Sequence, residues 1–70
     1  MLAQTQWTAV LGVLEVELGG GQFSAWLSDS QLIHGGSSTI TIGVRNAFTR
    51  EVVDRRFRPN IERAVERVAG

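Results

Sequence analysis

Apolar side chains recur at Trp7, Val10, Leu11, Leu14 and Leu18 within the stretch Thr5–Leu18. The spacing i, i+3, i+4, i+7, i+11 draws one stripe down an α-helix, and Thr5 stands where an N-cap is expected. Gly19, Gly20 and Gly21 end that helix, because glycine accepts the left-handed conformation of a C-terminal cap. Gln22–Leu27 predicts a short second helix with Phe23, Trp26 and Leu27 inward. The period then drops to two. Ser30–His34 and Ser38–Val44 read as strands around a Gly35-Gly36 turn. Ile40, Ile42 and Val44 alternate with Thr39, Thr41 and Gly43, so one face is buried and one is wet. Asn46 then caps a long third helix reaching to about Val68, with Val53, Phe57, Ile61, Ala64 and Val68 as its core stripe. The order α-α-β-β-α predicts an α+β fold, a short antiparallel hairpin packed on three helices, as a single domain over residues 1–70.

Two helices keep apolar residues that this arrangement does not use. On a wheel of about 100° per residue, Ala9, Gly12, Val13 and Val16 fall opposite the stripe that starts at Trp7. Small residues flanked by valines let a second helix approach closely, which predicts a self-association seam. The alternative is a tolerant surface kept wet by Glu15 and Glu17. On the third helix Phe48 and Val52 point away from the core stripe, among Arg45, Arg55 and Arg56. An aromatic beside arginines has the composition of a protein-docking hot spot. The alternative is a satellite core residue folded over the sheet edge. Pro59 lacks an N–H, so the Arg55 carbonyl loses its helical partner and the helix should kink there.

Composition narrows the function. The chain has 70 residues and a formal net charge of zero, which argues against a dedicated nucleic-acid binder. Residues 1–44 carry Glu15, Glu17 and Asp29 and no lysine or arginine, while all seven arginines lie in residues 45–70. Many can be neutralised locally. Arg50–Asp54, Glu51–Arg55, Asp54–Arg58 and Arg58–Glu62 are i, i+4 pairs, each worth about 0.3–0.5 kcal/mol. The alternative function is a weak single-stranded nucleic-acid binder using Arg45, Arg50, Arg55, Arg56 and Arg58, with Arg45, Arg55 and Arg56 as its candidate contacts. With no cysteine and one histidine, disulfides and thiolate metal sites are excluded and a zinc site has few donors. No apolar run is long enough to span a membrane and no signal-peptide pattern follows Met1, so the expected location is the cytoplasm.

Chemistry is not expected. His34 sits beside a glycine turn with no nucleophile placed for it, and Glu15 and Glu17 lie about 200° apart on their helix. The run Gly19–Gln22 has neither the lysine nor the spacing of a phosphate loop. It also misses the G-x-x-G of a KH domain, because Gln22 occupies the last position. We therefore expect no catalytic residue, cofactor or metal.

Trp7, "FSAWL" (23–27) and a strand leading into "RNAF" (45–48), taken with their separations, resemble the N-terminal domain (domain I) of the bacterial chromosomal replication initiator DnaA. The likeness covers Trp7 to about Val68. It implies a KH-like interaction domain that self-associates through helix 1 around Trp7. It also implies docking of the replicative helicase or replication regulators near Gln22, Asn46 and Phe48, with weak single-stranded DNA binding attributed to the topology. Three departures stand out. Gln22 occupies a position where some relatives are acidic, Arg45 replaces a common proline, and the third strand that pairs with the family's hairpin is missing, so a truncation or a neighbour must account for the open edge.

Overall fold

Helix α1 spans Gln4–Leu18, α2 Gly20–Trp26, strand β1 Gln31–Gly35 and strand β2 Ile40–Gly43. After them come α3 (Ala47–Val52), a π-helical turn (Val53–Phe57) and α4 (Arg58–Ala69). The computed structural model describes residues 2–36 and 39–70; Ser38, the expected start of the second strand, lies outside the described residues with Ser37. The architecture is the expected α+β order, with α1 and α4 packed together and an antiparallel β1–β2 hairpin.

Several element ends differ from the expectation, each for a local reason. The cap of α1 is Ala3, not Thr5. The Gln6 side chain reaches back and its Oε1 accepts the Ala3 N–H at 2.9 Å, so an orphan donor is satisfied without a hydroxyl. Helix α2 begins at Gly20, directly after Gly19 turns the chain with φ of 85°. A side chain at Gly19 is strained in that conformation. Ser30 precedes β1 instead of starting it. Its hydroxyl donates to the Leu27 carbonyl at 2.6 Å and is buried there.

The hairpin pairs Gln31 with Gly43, Leu32 with Ile42, His34 with Thr41 and Gly35 with Ile40. Ile33 is the extra residue of a β-bulge and its side chain is largely exposed. It lies against Gly43, where an added Cβ would meet its Cδ1 at 3.0 Å. The sheet has two strands among the described residues, and the outer edge of β2 is open. A groove of about 900 Å³ runs beside that edge, floored by Ile40, Ile42, Val44, Val53, Ile61 and Val65.

The core joins Trp7, Val10 and Leu14 of α1 to Leu27, Leu32, Val53, Phe57, Ile61 and Ala64, with Leu2 closing one end. Leu11, Leu18, Phe23, Trp26, Val52 and Val68 are half-buried around it. Val10, Leu14 and Leu27 are fully enclosed, and each contributes about 1.5–3 kcal/mol by leaving water. One polar atom in the core has no partner among the described residues, the Trp7 indole Nε1.

The largest departure is the third helix. It passes through Pro59 without ending, but Val53–Phe57 is wound as a π turn just before it. A π turn bonds i to i+5 and widens the helix. The proline ring at position 59 crowds the carbonyl four residues earlier, at Arg55, and the wider turn moves that carbonyl aside. The irregularity expected at Pro59 thus takes the form of a local change of winding.

Candidate protein-docking surface

Strand β2 leads to Asn46, whose backbone is still extended and whose side chain starts α3. Its Oδ1 accepts the Thr49 N–H at 2.7 Å. That bond sets the first turn of α3. Thr49 is drawn into the core and Phe48, one position earlier, points outward at 69 % exposure.

Phe48 is not free in solvent. Its ring centroid lies 5.8 Å from that of Trp26, at 54° between planes, which is the tilted geometry that aromatic quadrupoles favour. Arg45 fixes the same corner from below. Its guanidinium donates to the Ala25 carbonyl, one of the acceptors that the end of α2 leaves unpaired, and lies 3.7 Å from the Asp29 carboxylate. Gln22 is exposed one turn before Trp26 and therefore on the same side of α2. Val52 is half-buried against the core. The structure thus brings Trp26 and Phe48 together at a corner between α2 and α3, with Gln22 on the same side of α2, and turns Val52 toward the core. Sequence reasoning placed Trp26 inward and missed it as half of the aromatic pair, because no local spacing links Trp26 to Phe48.

The helix 1 candidates divide. Ala9, Gly12 and Val16 are exposed, Val16 at 87 %, and nothing lies within 4 Å of a Cβ built on Gly12. Val13 turns the other way and is half-buried beside Pro59 and Ala64 of α4. Trp7 is buried at 3 % exposure and reaches no surface. Trp7 is buried in the core stripe where the wheel placed it, so the contact around it that the resemblance implies is not at the surface, and Val13, which the wheel set on the far side, is covered because the α1 face toward α4 is wider than the wheel allowed.

Of the arginines considered for nucleic acid, Arg45 is held as described, Arg55 pairs with Glu51 at 3.3 Å, and Arg56 lies 5.4 Å over the Phe57 ring. Two of the expected i, i+4 pairs form, Glu51–Arg55 and Asp54–Arg58. A further ion pair links elements far apart in sequence. Glu17 of α1 accepts from Asn60 Nδ2 at 2.6 Å and from Arg63 at 3.0 Å. These bonds, Asn60 first and Arg63 second, hold the Glu17 carboxyl below its ordinary pKa.

His34 is exposed on β1. Among the described residues no group of His, Asp and Glu could hold a metal ion, and no helix is long and apolar enough to cross a membrane. No solved structure gives a significant match to the chain. The family model of the DnaA N-terminal domain matches residues 4–67, the span from the first turn of α1 to the last turns of α4, and the chain belongs to that family.

Proposed function

We propose that this domain of the DnaA N-terminal family serves replication initiation as a protein–protein interaction module. In this reading it has two contact surfaces. The corner of Phe48, Trp26 and Gln22 docks the replicative helicase or a replication regulator. The outer face of α1, at Ala9, Gly12 and Val16, mediates self-association.

The observation that carries the reading is Phe48: a large apolar ring mostly in water, yet held in one place by Trp26 and by the capped turn beneath it. A rigid exposed aromatic loses little conformational entropy on binding, and such anchors dominate interface energetics. Asn46 and Arg45 support the surface from behind. Nothing in the arrangement of Arg45, Arg55 and Arg56 favours the single-stranded DNA reading, since the first two face carboxylates.

The test is a titration of immobilised domain with the purified replicative helicase at rising salt. Binding that survives salt and is lost in Phe48→Ala supports the proposal. Equal binding by the wild type and the variant overturns it. Capture of a single-stranded oligonucleotide that falls steeply with salt would favour the nucleic-acid reading instead.

A further inference from the structure

The third helix solves a problem of phase. Thr49, Val53, Phe57 and Ile61 are all buried, and they are spaced by four residues each time. In an unbroken α-helix, at about 100° per residue, Thr49 would stand about 120° around the axis from Ile61. A π turn takes up one extra residue, so everything before it is rotated by about 100° and the offset falls to about 20°. The π turn at Val53–Phe57 is therefore what lets Thr49 and Ile61 face the same core.

The same rotation aims the surface residues. Measured from the core direction of Ile61 and Ala64, an unbroken helix would put both Phe48 and Val52 about 160° away, on the far side. With the π turn Val52 comes to about 60° and Phe48 to about 100°, on the flank. Val52 is indeed half-buried and Phe48 meets Trp26. The residue that disfavours an ordinary α turn is Pro59. It has no N–H for the Arg55 carbonyl and its ring crowds that carbonyl.

We infer that Pro59 is a positioning residue for the docking corner: through the π turn at Val53–Phe57 it sets the rotation of α3 that places Phe48 on Trp26. The functional weight of this inference rests on the docking reading above, but its test reads the rings directly and needs no partner. A failure here is thus distinct from a failure to bind.

The experiment uses two variants. Pro59→Ala restores an N–H for the Arg55 carbonyl and allows ordinary α winding. Pro59→Ala combined with deletion of Arg56 removes the extra residue, so the buried positions follow spacings of four, three and four, which a straight α-helix accepts. Ring-to-ring NOE cross-peaks between Trp26 and Phe48 report the pair. Acrylamide quenching of Trp26 in a Trp7→Phe background reports its cover; the Trp7 N–H has no partner to lose. Pro59→Ala is expected to lose the cross-peaks and to raise Trp26 quenching at least twofold, and the deletion is expected to restore both. Cross-peaks retained in Pro59→Ala would overturn the inference, because core packing alone would then hold the turn. If Pro59→Ala does not fold, the deletion variant decides: a folded domain with the cross-peaks supports the inference, and one without them overturns it.

Discussion

The outer face of α1 and the corner between α2 and α3 both expose apolar side chains, but they are built differently. On α1, Ala9, Gly12 and Val16 stand open, with Val16 the most exposed large apolar residue. At the corner, Phe48 is tied to Trp26, Arg45 to Ala25 and Asp29, and Asn46 to Thr49. The first surface costs nothing to form and specifies little. The second is organised before any partner arrives. Preorganisation lowers the ordering cost of binding, so the corner should carry the tighter and more specific contact, and the α1 face a weaker one that rises with concentration.

The sharpest way to break that contrast is to truncate Phe48. Phe48→Ala should weaken helicase binding by about 2 kcal/mol or more, roughly thirtyfold. The domain itself should lose only the aromatic pairing, about 0.5–1.5 kcal/mol, read from urea denaturation. A loss of about 3–5 kcal/mol would make Phe48 a core residue and leave no anchor at the corner.

Charge placed on the two sides of α1 tests the other half. Val16→Glu should abolish self-association in sedimentation while stability stays within about 0.5 kcal/mol. Val13→Glu puts a carboxylate beside Glu17, Glu62 and Glu66 in the α1–α4 crevice, and should cost about 1–3 kcal/mol of folding stability. If both variants behave alike, the division of α1 into an inner and an outer side is wrong.

Asn46→Ala should cost about 1 kcal/mol by removing the cap of α3, with Asn46→Ser recovering most of it. Because the cap sets the turn that carries Phe48, helicase binding should weaken in Asn46→Ala and return in Asn46→Ser. A partner that contacted the Asn46 amide directly would reject both.

Much of this was legible in the sequence, for a physical reason. Strong signals were local and periodic: the Trp7–Leu18 stripe, Gly19, the alternation from Ile40 to Val44, and the Asn46 cap. A wheel, however, assumes constant winding. It could not show the π turn, and it therefore sent Phe48 and Val52 to the far side of the third helix. The same wheel gave α1 two opposed apolar faces, because nothing in α1 alone says that α4 will cover Val13. The ties between Arg45 and Asp29 and between Glu17, Asn60 and Arg63 join elements well separated in the chain. Only the fold brings those charges together.

The smallest expected effect is the pH response of Glu17, and it separates the α1–α4 tie from both surfaces. Asn60 and then Arg63 lower the Glu17 pKa in the folded state. A depressed carboxylate contributes stability that is complete above its unfolded pKa and is lost as pH falls through the folded value. The wild type should therefore exceed Glu17→Gln in urea midpoint near about pH 7, and the gap should close toward about pH 3. The gap is small, since the pair is partly in water and screened. A gap that does not change with pH would mean that packing between α1 and α4, not the Glu17 charge, holds the two helices in register. The Trp26–Phe48 cross-peaks should not follow the Glu17 titration. The carboxylate tied to that corner is Asp29, through Arg45, so loss of the cross-peaks at the Glu17 midpoint would show that the corner is held by the α1–α4 tie and is not an independent surface.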